Sequence, residues 1–527
     1  MRFGRSLNLM LAAGVAGVLA APVGASTRHG PSTPVEPYVL PSAEGVEITS
    51  LLTVDGVLGD GGAASNGYEM AGIPDGLGAM KGPGRDFTVF MNHELNQTQG
   101  VVRAHGQIGA FVSRLRIDAK TLEVEEGSDL IQPPVRYWNY VTQQHQDSPS
   151  PAGDNPRTFG TEQPNVAQDD FVAQPAPLGR FCSGTLTTLG QLYNARTGRG
   201  YFGRTYFPNE ETGVEGRAFG TLVDGTTEQL PRLGLFSWEN VMPAANRSDT
   251  TLVMGTEDTP HGQLRAYVGA KTRRGDAFDR AGLTNGVNHV IDLVDEAVSG
   301  ETAFRSNYGE GVPVEFDLAE VDWDQPGTAQ DAEAAAEGLT LNRLEDGVWD
   351  PRNPSDFYFT TTDGGDTTRR GPEGGVRDSG GVWRLSFEDI ERPQLGGTLT
   401  LLLDGVGGEE DEILLNSPDN LGMDRRGNLM IQEDNGNSRE RARIVAYQVH
   451  TGDLGVVAQF DAELFSFPNP VMTLNEESSG IIDAREVLGR GWWLFDAQVH
   501  RPVADPMRVT EGQLLAMRIK RWDDVYG

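Results

Sequence analysis

The sequence predicts an all-β chain built from degenerate repeats of short antiparallel strands, with loop insertions and a few short helices. Its 527 residues include 67 glycines and 30 prolines, which favours frequent turns over long helices. Apolar and polar residues alternate in short runs, the period of a half-buried strand, and helical periodicity is scarce. Several runs also share one plan: an apolar strand, Asp-x-x-x-Gly/Asn, a second apolar strand, then an acidic or amide cluster. VWDPRNPSDFYFTTTD (348–363) and GMDRRGNLMIQED (422–434) are the clearest pair. Such repeats fit a β-propeller, and six blades fit the length; a pair of sandwiches is the competing architecture.

The N-terminus reads as a Sec-type export signal over residues 1–25. Arg2 and Arg5 precede an apolar run from Leu7 to Ala21, and Val23-Gly24-Ala25 offers a small-residue cleavage site. The mature chain is then periplasmic or secreted. Residues 26–44, rich in Pro, Ser and Thr, read as a flexible leader, and 45–527 as one propeller domain. No later segment approaches the 18 unbroken apolar residues of a stable membrane span.

From residue 46 strand signals follow in series, at 86–94, 110–124, 217–225, 246–258, 262–270, 347–365, 380–389, 399–405, 443–457 and 492–500. Residues 141–179 are Pro-, Gln- and Asp-rich without periodicity, an insertion that reads as a surface excursion or lid. Residues 331–344 read as a short helix. In 417–437, Leu421, Met423, Leu429 and Ile431 alternate with polar residues around a turn at Arg425–Asn428, so this stretch is a hairpin. Its strands must bury their apolar faces, which gathers Asp419, Asn420, Glu433 and Asp434 at the strand ends. Carboxylate and amide oxygens in that arrangement suit a hard cation such as calcium, Ca2+.

A formal net charge of −33 leaves no basic face for phosphate backbones and excludes nucleic acid as a partner. A single cysteine, Cys182, excludes an internal disulfide, so that thiol is a core residue or a ligand. Further candidates stand where strands end: Glu94 after FTVFMNH, Glu210 and Glu211 after TYFPN, Glu257 and Asp258 after TLVMGT, and Arg343 and Glu345 in NRLEDG. ESSGI (477–481) offers more oxygens, or a turn. The 8 histidines, among them His93, His105, His261 and His500, show no zinc spacing, and Ser183-Gly184-Thr185 is no nucleophile elbow.

An ordered set of motifs resembles the PhoX-type alkaline phosphatase family: GYEMAGIPDGLGAM (67–80), FTVFMNHEL (87–95), RFCSGT (180–185), FPNEE (207–211), LVMGTED (252–258), LNRLEDGVWDP (341–351), SPDNLGMDRRGNLMIQED (417–434) and LFDAQVHRP (494–502). The resemblance implies a six-bladed propeller hydrolysing phosphate monoesters at a central site with two iron ions, Fe3+, and calcium. It implies Cys182 as the thiolate bridging the irons, Glu94, Glu257 or Asp258, and Glu345 as carboxylate ligands, and Arg343 as a phosphate-holding arginine. Asn420 becomes a ligand to calcium or phosphate, and Glu211 joins Arg343 and Asn420 as the catalytic candidates, with Asp419, Glu433 and Asp434 on metal. The partner is a small-molecule phosphate ester and the enzyme a monomer. Ser183, Gly184 and Thr185 replace the Gly-Gly and Trp-rich stretch that the family carries after its cysteine. A calcium-stabilised, non-catalytic binding propeller, or a phytase- or lactonase-type hydrolase, is the alternative function.

Overall fold

Six inner strands, one from each of six antiparallel units, close a ring in the computed structural model. The model describes residues 24–54, 56–58, 61–140, 142–147, 177–364, 373–375, 380–405 and 415–527. The ring strands are β1 (Pro74–Lys81), β2 (Phe181–Leu186), β3 (Trp238–Pro243), β4 (Leu344–Trp349), β5 (Pro418–Met423) and β6 (Glu476–Asp483). Each packs against the next, and β6 returns to β1. The approach is tight: a Cβ on Gly76 would lie 2.1 Å from the backbone nitrogen of Gly184, so only glycine fits there.

Each ring strand opens an antiparallel meander running outward. In the first unit β1 pairs with Asp86–His93, then Phe111–Asp118, then Val124–Asp129. The third and fourth units merge into one nine-stranded sheet, because Val314–Val321 pairs with the outer strand of both. The predicted hairpin forms as the alternation requires: β5 pairs with Asn428–Glu433, and Gly427 takes a φ of 85° at the turn. Apolar side chains fill the space between sheets. Trp238, Trp383 and Trp493 are fully buried, and each such aromatic stabilises the fold by roughly 3 kcal/mol.

The sixth unit is completed from the other end of the chain. Val46–Thr53 forms its outer strand against Thr510–Ile519. The expectation of a flexible leader over 26–44 is corrected here. Ser26–His29 pairs with Val46–Thr53 and Val39–Pro41 with Leu454–Phe460, because a free sheet edge binds any extended segment that can bury Tyr38 and Val39. Residues 1–23 of the export signal lie outside the described residues. So do 148–176 of the insertion; its first part, Gln144–Gln146, forms a hairpin with Val135–Asn139 at the edge of the second unit. The expected helix forms over Gly327–Glu337, around its alanine run.

Two local features repeat around the ring. The residue just after the second strand of five units, and His500 near the end of that strand in the sixth, donates its amide to the carbonyl two residues ahead of the ring position: Glu94 to Ile73, Glu211 to Arg180, Asp258 to Ser237, Thr362 to Arg343, Asp434 to Ser417 and His500 to Asn475. In five units the first pairing also slips by a bulge within the first three residues of the ring strand, and in the sixth it slips later. Bulges re-aim side chains. Here the early bulges take the second residue of five ring strands out of the pairing, at the end where the second strands also finish.

Candidate metal centre

The second residues of the six ring strands are Asp75, Cys182, Glu239, Glu345, Asp419 and Glu477, and of these Glu477 alone stays paired, with Gln498. The second strands add Glu94, Glu211, Asp258 and Asp434 around them. Ligand atoms gather in four threes, each within 4.8 Å: Asp75, Glu94 and Cys182; Cys182, Glu211 and Glu239; Glu239, Glu345 and Asp419; Asp419, Asp434 and Glu477. Neighbouring threes share a member, and the shared members are Cys182, Glu239 and Asp419. The Cys182 Sγ lies 3.3 Å from Asp75 Oδ2.

Two arginines stand at the mouth. Arg180 Nη2 is 2.5 Å from Glu94 Oε1 and 2.5 Å from Glu211 Oε2. Arg343 Nε donates to Asp258 Oδ1 at 2.9 Å, and its Nη2 lies 2.9 Å from Glu345 Oε1. At the opposite rim His500 Nε2 lies 3.3 Å from Glu477 Oε1.

The carboxyls crowd one another out of ionisation. Burial pushes Asp75, Glu239, Glu345, Asp419 and Glu477 well above the usual carboxylate range, and neighbouring carboxylates add to each rise. Glu211 is raised by burial too, with Arg180 opposing. Burial and then Asp75 and Glu239 push the Cys182 thiol up. Like charges this close ionise together only beside compensating cations. Two arginines are too few for ten carboxylates and thiols, so the arrangement fits multivalent cations.

A family model described as alkaline phosphatase PhoX matches residues 222–477. Over that stretch the chain is similar to the PhoX family. Among solved structures, Pseudomonas fluorescens PhoX in complex with vanadate, a transition state analogue, is similar with a TM-score of 0.60 at 14% identity, over 94% of this chain and 98% of that one. At that identity the likeness is one of fold. A BP39L lectin from Burkholderia pseudomallei follows with a TM-score of 0.30 and 9% identity, over 81% of this chain and 82% of that one. Among curated proteins none matches. The PhoX model spans Glu239, Asp258, Arg343, Glu345, Asp419, Asp434 and Glu477, whereas Asp75, Glu94, Cys182 and Glu211 precede its span.

The PhoX-like motifs thus converge, with three exceptions. Glu94, Cys182, Glu211, Glu345, Asp419 and Asp434 enter the threes, and Asp258 and Arg343 meet beside them. Glu257 and Glu433, expected as metal ligands, are corrected. Each points away from the ring, into a buried ion pair: Glu257 Oε2 with Arg265 Nη2 at 2.8 Å, and Glu433 Oε1 with Arg443 Nη2 at 2.6 Å. Successive strand residues face opposite ways, so Asp258 and Asp434 reach the ring while Glu257 and Glu433 cannot. Asn420, expected on calcium or phosphate, is turned the same way relative to Asp419, and its Nδ2 donates to Ser183 Oγ at 2.6 Å beneath the ring. Asp75 and Glu239 were not singled out in the sequence, although each occupies the repeat position of Cys182 and Asp419.

Glu257→Gln tests this sorting. Side-chain exposures of 1% and 0% make Arg265–Glu257 a buried pair, and breaking such a pair costs about 3–5 kcal/mol. The unfolding free energy from urea titration is expected to fall by that much while metal content stays that of the wild type. Loss of metal in this variant would return Glu257 to the ligand set.

Proposed function

We propose that the ring is that of a six-bladed β-propeller and that this PhoX-family phosphatase is an exported monomer hydrolysing phosphate monoesters at a metal centre on the ring axis. The observation that carries the reading is Cys182 as the member common to two adjoining threes, Asp75–Glu94–Cys182 and Cys182–Glu211–Glu239. A thiolate suits a transition metal and not calcium, and a shared thiolate suits two of them. These residues would hold the iron ions. The all-oxygen sets Glu239–Glu345–Asp419 and Asp419–Asp434–Glu477 suit calcium. Bound cations would supply charge neutralisation at the phosphoryl group and an acidified water. The apolar run ahead of Val23-Gly24-Ala25 supports export.

The chain's own residues orient the ester. The Arg343 side chain, 36% exposed, is braced by Asp258 on its Nε–Nη2 edge and by Glu345, and offers the Nη1 side of its planar fork at the mouth. Phosphate oxygens match that fork in a way a lysine ammonium does not. Arg343→Lys is therefore expected to raise KM for p-nitrophenyl phosphate about tenfold, or about 1.4 kcal/mol. An unchanged KM would remove Arg343 from the phosphate site. That the relative with 14% identity was captured with vanadate supports a phosphoryl-binding mouth here.

Elemental analysis of the purified protein beside p-nitrophenyl phosphate hydrolysis tests the whole reading. Iron with calcium, and activity lost on chelation, are expected. Calcium alone without turnover would favour a non-catalytic binding protein instead.

A further inference from the structure

We propose that Arg180 is a second substrate-holding arginine, paired with Arg343, and that the pair selects dianionic phosphate monoesters over diesters. The proposal deepens the phosphatase reading and rests on it.

The repeat makes the two arginines equivalent. Each lies two residues ahead of a ring residue, Cys182 or Glu345. Each carbonyl accepts the amide of its unit's second strand, from Glu211 or Thr362. Both take the left-handed backbone conformation, with φ of 37° for Arg180 and 54° for Arg343. Ile73 and Ser417 share that conformation at the same repeat position, with φ of 47° each. The backbone geometry is therefore a property of the fold, tolerated at roughly 1–2 kcal/mol for a non-glycine residue. The guanidinium is not: it occurs in the second and fourth units only.

Neutralising carboxylates is the plainer role for an arginine, and the fold shows what that looks like. Arg217, Arg265 and Arg443 each form an ion pair with a glutamate of their own unit, Glu210, Glu257 or Glu433, with side-chain exposures of 2%, 1% and 10%. Arg180 and Arg343 differ on both counts. They are 47% and 36% exposed, and each spans carboxylates from two units. Arg180 joins Glu94 of the first unit to Glu211 of the second, and Arg343 joins Asp258 of the third to Glu345 of the fourth. Glu211 and Glu345 each lie within 4.8 Å of Glu239. The two guanidinium groups thus stand on either side of Glu239, each with its Nε–Nη2 edge held by a carboxylate, Glu211 or Asp258, and its Nη1 side left for a ligand at the mouth.

An anion approaching the ring there meets both guanidinium groups from their Nη1 sides. A monoester phosphoryl group has three non-bridging oxygens and two negative charges, enough for a charge-assisted contact to each arginine. A diester has two such oxygens and one charge, and would leave one of the two cations without a matching charge.

The test uses the full metal-loaded chain, with inorganic phosphate as the probe. Arg180→Gln is expected to raise the inhibition constant of phosphate at least tenfold, with iron and calcium unchanged. Its kcat/KM should fall more on p-nitrophenyl phosphate than on bis-p-nitrophenyl phosphate. Arg180→Lys should lie between it and the wild type. An unchanged inhibition constant with metals retained would overturn the proposal, leaving Arg180 a neutraliser of Glu94 and Glu211. If Arg180→Gln loses metal, Arg180→Lys decides. Metal kept with weakened phosphate binding supports the pairing; metal kept with wild-type binding, or metal lost, overturns it. A wild type that holds metal yet neither turns over nor binds phosphate would overturn the phosphatase reading as well. An active wild type with Arg180→Gln unaffected overturns the pairing alone.

Discussion

Replacing Cys182 by alanine is expected to strip the protein of iron and lower phosphatase turnover by at least about 10³-fold, the upper end of what losing one transition-state donor costs. The far-UV circular dichroism should stay that of the wild type. The Sγ atom is common to two threes and lies 3.3 Å from Asp75 Oδ2. Burial, with Asp75 and Glu239 beside it, pushes the thiol up, so without a cation it keeps its proton. A soft metal is what makes a thiolate stable among carboxylates. The fold itself leans little on this side chain. Cys182 is half-buried, the second strand residue re-aimed by a bulge, and β2 stays paired through Gly184, Thr185 and Leu186. Elemental analysis decides: iron retained in Cys182→Ala would sink the ligand assignment. Iron lost with turnover kept would leave Cys182 a ligand and move the chemistry to the oxygen-only sets.

How much of this centre was legible depended on what kind of signal each residue carried. Residues in strong local patterns were readable. The alternation through 417–434 placed Asp419 and Asp434 at strand ends, and there they are. Face was the harder variable. Glu257 and Asp258 are adjacent, as are Glu433 and Asp434, and only one of each pair can look at the ring. Choosing needs the partner arginine, and Arg265 and Arg443 lie on the third strands, 8 and 10 residues on. Asp75 and Glu239 sit in GIPDG and SWENV, with no acidic neighbourhood to mark them. They become visible only when the six units are aligned on the amide that closes each one. Ring closure was illegible for another reason: the partner of Thr510–Ile519 is Val46–Thr53, more than 450 residues away, and no local pattern reports a pairing of that span.

Removing the metals with a chelator is expected to lower the melting temperature, and to lower it more at pH 8.5 than at pH 5.5. The carboxyls of Asp75, Glu211, Glu239, Glu345, Asp419 and Glu477 are all raised in the folded chain, by burial first. In the unfolded chain they titrate near about 4. Between those values the folded state holds protons that the unfolded state has released, so stability falls as pH rises. The metal-free protein is therefore most stable in acid and weakens toward alkaline pH. Cations act oppositely, because they bind the deprotonated ligands and compete with protons. A site held at a hundred times its dissociation constant adds about 2.7 kcal/mol. Four sites in a chain of this length then raise the melting temperature by roughly 10 °C. Thermal melts with and without chelator, and after calcium is returned, measure the gap at each pH. A gap that widens with pH, closed by added calcium at least in part, is what a ring of raised carboxyls requires. A gap that is absent or constant would mean that Arg180 and Arg343, with bound protons, suffice to hold the ring together, and that the four threes are an acidic lining, with no metal bound.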